Sequence, residues 1–148
     1  MARTRLVELD KYRFVYEQMI HLSDVNIAGH SGSVEITSLM QEGRYRMLKS
    51  MGCSDLNLGD GSTGSIMADM VINFKGEIFL DDRISISMDI SEMEENGYRV
   101  FYRFIKNGKT AALAETGFVT FSFKEKKKVK VPLLFIERLN SITDTVIC

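Results

Sequence analysis

The sequence predicts an α+β domain in which an antiparallel sheet of about five strands curls around one long helix. Two observations lead to this prediction. One segment carries apolar residues at helical spacing, and five others alternate apolar and polar residues or are otherwise strand-like. Because a sheet and a single amphipathic helix each have an apolar face to bury, the economical arrangement packs the helix inside the curl of the sheet.

Composition limits the chain to a few classes. Its 148 residues suit a single domain spanning 1–148, and 45% hydrophobic residues exclude a disordered protein. A formal net charge of -1 argues against general nucleic-acid binding. No apolar run is long enough to cross a membrane, and the charged N-terminus does not resemble a secretory signal. Two distant cysteines, Cys53 and Cys148, favour a reducing compartment and hence a cytoplasmic protein.

The first strand is predicted from Tyr12 to Leu22, where apolar and polar residues alternate. A loop rich in turn formers follows, from Ser23 to Gly32. The helix is predicted from Ser33 to Met51, with Ser33 as its N-cap and Gly52 ending it. Its apolar stripe contains Ile36, Leu39, Met40, Gly43, Met47, Leu48 and Met51.

Beyond the helix the chain is predicted to be mainly β. The glycine-rich segment from Cys53 to Ser65 has nothing that fixes a unique conformation, so we expect a mobile connection. A mixed strand at 66–75 precedes three clearly alternating strands around 84–90, 98–104 and 119–123. Their connections contain Asn96-Gly97 and Asn107-Gly108, which favour type I′ hairpins and predict a meander. Pro132 ends the last strand, and 133–139 is a short helix or an irregular tail.

This order of elements is that of the hotdog fold, and one segment carries a more specific resemblance. The residues from Asp24 to Arg44 read D-V-N-I-A-G-H-S-G-S-V-E-I-T-S-L-M-Q-E-G-R. They resemble the signature of hotdog-fold acyl thioesterases, D-x-D-x-x-G-H-x-N-N followed by a helix ending in E-x-x-R. The matching positions are Asp24, Gly29, His30 and Arg44. The resemblance implies hydrolysis of an acyl thioester.

Two departures from the signature bear on the chemistry. Asn26 and Gln41 occupy the positions where such thioesterases carry a carboxylate, and an amide cannot act as a general base. Glu42 is adjacent to Gln41, but helical geometry turns it about 100° away, toward an i,i+4 ion pair with Arg46 on a solvated face.

The pattern is similar to that of the thioesterases of enediyne polyketide biosynthesis, which lack the carboxylate and use an Asn and an Arg. Asn26 and Arg44 have the spacing of that group. Arg44 also lies inside the apolar stripe of the helix, so its guanidinium must be paired or must face a polar cavity. The structural alternative is a buried Arg44 tied to Asp24 or to loop carbonyls.

The resemblance implies the following roles at the site. Asn26 would orient water or the thioester carbonyl, and Arg44 would anchor Asn26 or stabilise charge. Backbone N–H groups at the start of the helix that begins at Ser33, near Gly29–Gly32, would receive the developing oxyanion. His30 would be a base or an oxyanion donor, or would simply bond the backbone. Asp24 completes the candidate catalytic set, and Ser31 and Gln41 join Gly29 and Gly32 as candidate substrate-binding residues.

The implied substrate is an acyl-CoA or acyl-carrier-protein thioester, with a polyketide or fatty acyl product, and the implied assembly is a homodimer or homotetramer. We expect no metal, because two histidines without a Cys or acidic cluster give no metal site, and no other cofactor. The basic run Lys124–Lys130 is a solvated edge, or it attracts the phosphates of coenzyme A or an acidic carrier protein. The rival hypothesis is a hotdog protein that binds an acyl group or carrier without hydrolysing it.

Overall fold

A computed structural model describes residues 2–147. Five long strands form an antiparallel sheet in the order β2-β5-β4-β3-β1, and a short β7 joins β1 in parallel while a short β6 pairs with β5. The strands are β1 (Phe14–Met19), β2 (Thr63–Phe74), β3 (Arg83–Glu94), β4 (Gly97–Lys106), β5 (Lys109–Ser122), β6 (Lys127–Lys128) and β7 (Thr145–Ile147). The helices are α1 (Ser33–Ser50) and α2 (Leu133–Asn140).

Helix α1 lies on the inner face of the sheet, as predicted. The apolar stripe of α1 is buried, and Gly43 lets the helix approach β3 closely, because a Cβ at Gly43 would lie 3.0 Å from the Met88 sulfur. Alternate residues of β3 and β4 complete the core, among them Ile86, Tyr102 and Phe104. One long helix against a five-stranded antiparallel sheet is the hotdog fold.

The N-cap of α1 corrects the sequence prediction. Gly32, not Ser33, occupies that position, with extended backbone (φ -94°, ψ -161°). The carboxylate of Glu35 accepts a hydrogen bond of 2.9 Å from the Gly32 N–H, so the helix is capped from within its first turn. At the other end the prediction is confirmed in substance: α1 stops at Ser50, and Gly52 follows with φ +71°.

The segment from Cys53 to Ser65 is held by its own polar side chains, so the expectation that nothing fixes its conformation is wrong. The side-chain oxygen of Asn57 accepts from the N–H groups of Gly59 and Gly61, at 2.8 and 2.9 Å. Asp60 accepts in the same way from the N–H of Thr63 at 2.8 Å. Such side-chain turns satisfy the backbone of a loop without a ladder, and Leu58 is fully buried beneath them.

The two predicted hairpin turns have different outcomes. Asn107 and Gly108 have φ +51° and +73°, the two positive values that a type I′ turn requires, so this turn is confirmed. At the other hairpin Gly97 is already the first residue of β4 and pairs with Glu94, so the type I′ prediction there is wrong. Gly97 is needed for close approach instead, since a Cβ would lie 2.4 Å from the carbonyl oxygen of Phe118.

Strand β5 buries its polar positions, contrary to a simple reading of its alternation. Thr116 and Thr120 are fully buried and Ser122 is 5% exposed, whereas Phe123, just after the strand, is 45% exposed. The register explains this: Tyr98 of β4 is opposite Phe118, so Phe118 and every second residue from it share the helix side of the sheet. Hydroxyl partners satisfy the buried side, as between Tyr102 and Thr116 at 2.8 Å.

The first strand is shorter than the sequence indicates, whereas the C-terminal segment forms a helix and a further short strand. β1 covers only part of 12–22, because Leu22 begins a turn of 3₁₀ helix (Leu22–Asp24) and is 76% exposed. After Pro132 the chain forms α2, which resolves the choice between helix and irregular tail. Phe135 of α2 is fully buried and packs on the Tyr98 ring, 5.3 Å between centroids.

An N-terminal strap, residues 2–12, crosses the outer face of the sheet and was not predicted. The side chain of Asn73 bonds the strap twice, accepting from the Leu6 N–H at 2.7 Å and donating to the Thr4 carbonyl at 3.0 Å. Farther along, Glu8 accepts a hydrogen bond from Thr110, and the Arg103 guanidinium lies 4.7 Å from the centre of the Tyr12 ring.

The basic run Lys124–Lys130 forms the β5–β6 connection and the end of β6. Its five lysines are exposed, and Lys130 lies 3.5 Å from the Glu95 carboxylate. The aromatic rings of Phe121 and Phe123 meet edge to face beside the run, 5.5 Å between centroids.

Candidate active site at the start of helix α1

The loop before α1 brings six of the predicted site residues together. Its backbone closes on itself, because the Asn26 N–H donates to the His30 carbonyl at 2.9 Å and the Gly29 N–H donates to the Asn26 carbonyl at 2.9 Å. Ser31 is 8% exposed, and its hydroxyl donates to the Asp24 carbonyl at 2.6 Å. Gly29 has φ +86°, a conformation that glycine adopts readily. The hydroxyl of Ser31 is therefore a structural tie rather than a free nucleophile.

The side chain of Asn26 is oriented by the same loop. Its oxygen accepts from the Ala28 N–H at 3.0 Å and, more weakly, from the His30 N–H at 3.4 Å. These two donors fix which end of the amide is nitrogen, and that nitrogen lies against Gly32, where a Cβ would come within 2.9 Å of it. Asn26 thus presents amide N–H donors at the first turn of α1.

A pocket of about 380 Å³ opens beside this donor group. Its walls are the end of the loop, the first turn of α1 and the chain leaving β2: His30, Ser31, Gly32, Ser33, Phe74, Gly76 and Glu77. We call it the helix-start pocket. It combines an imidazole and a helix N-terminus, which favours negative charge, with the ring of Phe74.

Glu77 is the residue that sequence reasoning missed. It is exposed and lines the helix-start pocket with His30. It is a carboxylate in a site whose two usual carboxylate positions hold amides. Nothing in the local sequence marks it, because its proximity to α1 depends on β2 running back along the helix. Phe79, two residues after Glu77, forms an isolated antiparallel bridge with His30. This pairing brings Glu77 to the pocket and is visible only in the three-dimensional structure.

The backbone N–H groups of the loop are less available than expected. Those of Gly29, Ser31 and Gly32 already donate to the Asn26 carbonyl, the Ile78 carbonyl and the Glu35 carboxylate. The first-turn N–H groups after Gly32 have no intrahelical acceptor by the geometry of any α-helix. The donors that can face a ligand therefore begin at Ser33, in the first turn of α1.

Asp24 faces a different hollow. Its carboxylate accepts from the His21 N–H at 2.8 Å and from the Gln18 amide at 3.4 Å. Together with Glu42 it lines a depression of about 350 Å³ that does not include His30. Glu42 forms the predicted ion pair with Arg46, 2.7 Å, with both side chains at least one-third exposed. Gln41 is exposed on α1, outside both hollows.

Arg44 is buried, as its place in the apolar stripe predicted, but its partner is neither Asp24 nor a carbonyl. Its guanidinium is 2.9 Å from the carboxylate of Asp55 and 4.8 Å from the centre of the Phe118 ring. The Arg44 side chain is 8% exposed and that of Asp55 is 41% exposed. One guanidinium nitrogen, Nη1, is buried without a hydrogen-bond acceptor among residues 2–147.

The electrostatics around Arg44 keep it charged. Burial alone would lower the pKa of Arg44, but the hydrogen bond and charge of Asp55 raise it above the ordinary value. Burial also raises the pKa of the neighbouring Tyr102 and Tyr98 hydroxyls, so both stay neutral. The result is an ion pair between Arg44 and Asp55 that lies beside two neutral tyrosine hydroxyls.

The structure does not bring Arg44 and Asn26 together within one chain. Arg44 lies eleven residues beyond Ser33 on α1, which is roughly 16 Å along the helix axis. Its guanidinium contacts the 53–65 segment and β5, whereas Asn26 lies at the start of the helix.

Two further observations concern residues 2–147 only. No group of three or more His, Cys, Asp and Glu side chains in this part of the chain is placed to hold a metal ion. No described helix has the length and apolar character needed to cross a bilayer.

The sequence was compared with models of known protein families. The family model of the thioesterase-like superfamily matches residues 20–139. The chain belongs to the thioesterase-like superfamily. This match covers the loop, α1 and strands β2 to β6, and it leaves out the N-terminal strap, β1 and β7. A search of curated protein sequences finds no significant match.

Solved structures confirm the fold of this superfamily member. A 1,4-dihydroxy-2-naphthoyl-CoA thioesterase from Synechocystis superposes with a TM-score of 0.77 at 21% identity, covering 86% of this chain and 95% of that one. A gentisyl-coenzyme A thioesterase gives 0.73 at 21% identity, with 84% and 98% covered. A Thermus thermophilus thioesterase, solved with coenzyme A and zinc, gives 0.72 at 17% identity, with 90% and 96% covered.

Proposed function

We propose that this chain is an acyl thioesterase that hydrolyses an acyl-CoA or acyl-carrier-protein thioester, releasing a fatty acyl or polyketide acid. The observation that supports the proposal most is the position of the Asn26 amide, whose nitrogen lies against Gly32, a residue that lines the helix-start pocket. It places a neutral hydrogen-bond donor and the positive end of α1 beside one cavity.

The proposed chemistry asks little of the protein, because a thioester is already activated. The Asn26 amide and the N–H groups from Ser33 onward would hold the carbonyl oxygen and stabilise the oxyanion as water adds to the carbonyl carbon. Collapse of that adduct breaks the C–S bond, and the thiolate leaves with a proton. His30, which lines the pocket, would take the proton from water and return it to sulfur.

A homodimer would give Arg44 and Gln41 their parts in the site. β2 is an edge of the sheet, and an open edge of this length favours pairing with another copy. Ser65 at the start of β2 bonds the Asp55 carbonyl at 2.7 Å, while Phe74 at its end lines the helix-start pocket. If two β2 strands pair antiparallel, the partner's Arg44 lies toward the pocket and adds positive charge there. Sedimentation equilibrium showing only monomer at micromolar concentration would contradict this arrangement.

The test of the function is the Asn26→Ala variant assayed on a panel of acyl-CoA and acyl-carrier thioesters. Loss of one positioned oxyanion donor lowers kcat by about a hundredfold to a thousandfold, and the melting temperature should change little, since the Asn26 side chain is only partly buried. Asn140→Ala, an exposed asparagine on α2, is the matched control and should keep its activity. A folded Asn26→Ala protein with wild-type kcat would end the proposal for Asn26.

The alternative is a non-catalytic hotdog protein that binds an acyl group or carrier. The specific observation in its favour is that both usual carboxylate positions are amides and that Gln41 is exposed in the single chain. Binding of a non-hydrolysable acyl-CoA thioether, with no turnover of any thioester above background, would favour the alternative.

A further inference from the structure

A wide cavity lies between the N-terminal strap and the end of β2. This strap groove has a volume of about 720 Å³. It adjoins the helix-start pocket, because Phe74 lines both. The strap lies outside residues 20–139, the range matched by the family model, so the groove depends on a part of the chain that the family model does not include.

The charge of the strap groove is of one sign. Arg3, Arg5 and Lys75 line it, and none of its described lining residues is acidic. Neither arginine has an ion-pair partner among residues 2–147, and all three side chains are exposed. Two guanidinium groups and an ammonium with free donors suit the oxygens of a phosphate, which accepts bidentate bonds from arginine.

The nearest acid of the strap is already engaged elsewhere. Glu8 accepts a hydrogen bond from Thr110 and an ion pair of 3.4 Å from Arg103. These contacts, the bond from Thr110 first, lower the pKa of Glu8, and the charge of Lys75 adds a smaller contribution in the same direction.

Hydrogen bonds to β2 fix the strap beside the groove. The two bonds between the Asn73 side chain and the strap hold the backbone on either side of Arg5, at Thr4 and Leu6. The apolar walls are supplied by Leu6, Val7, Val71 and Phe74. A ligand that carries both phosphate and apolar or ring atoms would match this mixture of surfaces.

We propose that the strap groove binds the phosphate-bearing end of the thioester substrate, with Arg3, Arg5 and Lys75 holding the phosphate oxygens while the thioester lies in the helix-start pocket. This inference rests on the proposed function for the identity of the ligand. The phosphate could belong to the nucleotide part of coenzyme A or to the phosphopantetheine arm of a carrier protein, and both present the same chemistry to the groove.

The test is a direct binding measurement, which needs no turnover. The dissociation constants of coenzyme A, 4′-phosphopantetheine and phosphate-free pantetheine are measured by calorimetry on wild type and on Arg3→Gln/Arg5→Gln/Lys75→Gln. The matched control is Lys124→Gln/Lys127→Gln/Lys128→Gln, which removes three exposed positive charges at the opposite end of β2 and so tests the rival prediction that the basic run attracts the phosphates.

We expect the groove variant to weaken coenzyme A by at least about tenfold, since charge-assisted bonds to phosphate are lost, while the control variant and pantetheine change by less than twofold. Binding of coenzyme A by wild type should also weaken as salt is added. Tight binding of 4′-phosphopantetheine assigns the arm as the source, and binding of coenzyme A alone assigns the nucleotide.

An unchanged constant, an equal loss in the control, or no binding of coenzyme A or phosphopantetheine by wild type would overturn the inference. The proposed function is judged separately, by turnover. Binding that depends on the strap groove, without hydrolysis of any thioester, would contradict the thioesterase proposal and support the groove as a binding site. Hydrolysis by the wild type, with unchanged binding in the groove variant, would support the thioesterase proposal and contradict the groove.

Discussion

At its first turn α1 borders an open pocket, whereas a few turns later the same helix carries a guanidinium that is almost completely buried. At the open end Asn26 has its oxygen bonded and its nitrogen directed at Gly32. At the closed end Arg44 is paired with Asp55 and stacked on Phe118. A group that binds substrate must keep hydrogen-bond donors free, whereas a buried charge needs a partner of opposite charge, which Asp55 supplies to Arg44. The two matched residues of one motif therefore have opposite requirements, and mutations should separate them by what they change.

The largest stability effect is expected at the closed end. Asp55→Asn leaves Arg44 charged and buried without its carboxylate, and we expect it to lower the free energy of unfolding by about 2 kcal/mol, less than for a fully buried pair because Asp55 is partly exposed. The activity of the folded variant should fall by at most about tenfold, since the guanidinium keeps its charge. Chemical denaturation and kcat are measured together. A stable variant that has lost a hundredfold or more in kcat would mean that Arg44 acts on the substrate, as proposed for Asn26, and is not only a structural charge.

Gly32→Ala tests the open end by crowding it. The new Cβ would lie 2.9 Å from the Asn26 nitrogen and 3.3 Å from a Glu35 carboxylate oxygen. The backbone of Gly32 is compatible with alanine, so the variant should fold. Displacing a positioned donor should lower kcat by about tenfold or more, with a change in melting temperature of only a few degrees. Wild-type kcat in this variant would mean that the Asn26 amide is not used where the structure holds it.

The smallest effect is expected from Glu42, which lies neither at the open pocket nor in the buried ion pair. Its ion pair with Arg46 is solvated, so Glu42→Gln should cost about 0.5 kcal/mol or less and change activity by less than a few-fold. The comparison with Asp55→Asn is informative because each substitution removes the carboxylate partner of an arginine on α1. A hundredfold loss of kcat would identify Glu42 as the missing general base.

The sequence was sufficient for the parts of the fold that depend on local periodicity. The α1 stripe, including the anomaly of a charge at Arg44, follows from helical spacing alone, and so does the pair of Glu42 and Arg46. The type I′ turn at Asn107-Gly108 follows from the conformational freedom of those two residues. These features need no information from distant parts of the chain.

What the sequence could not supply depends on register and on distant contacts. The buried face of β5 is decided by its pairing with β4, which puts Thr120 inside and leaves Phe123 largely outside. The partner of Arg44, Asp55, lies in the Cys53–Ser65 segment. The sequence predicts a mobile connection there, whereas asparagine and aspartate side chains hold its turns. Glu77 reaches the helix-start pocket, and the strap crosses the sheet, only through tertiary packing.

The lysines of the β5–β6 connection concentrate positive charge at one end of the molecule. Residues 124–130 carry a net charge of +4, so the remainder of the chain carries -5. Adsorption to a charged resin follows the local patch rather than the average, because screening limits each contact to about 8–10 Å at moderate salt. Although its isoelectric point is about 6.1, the protein should therefore be retained by a cation-exchange column at neutral pH and moderate salt, oriented with this one corner against the matrix.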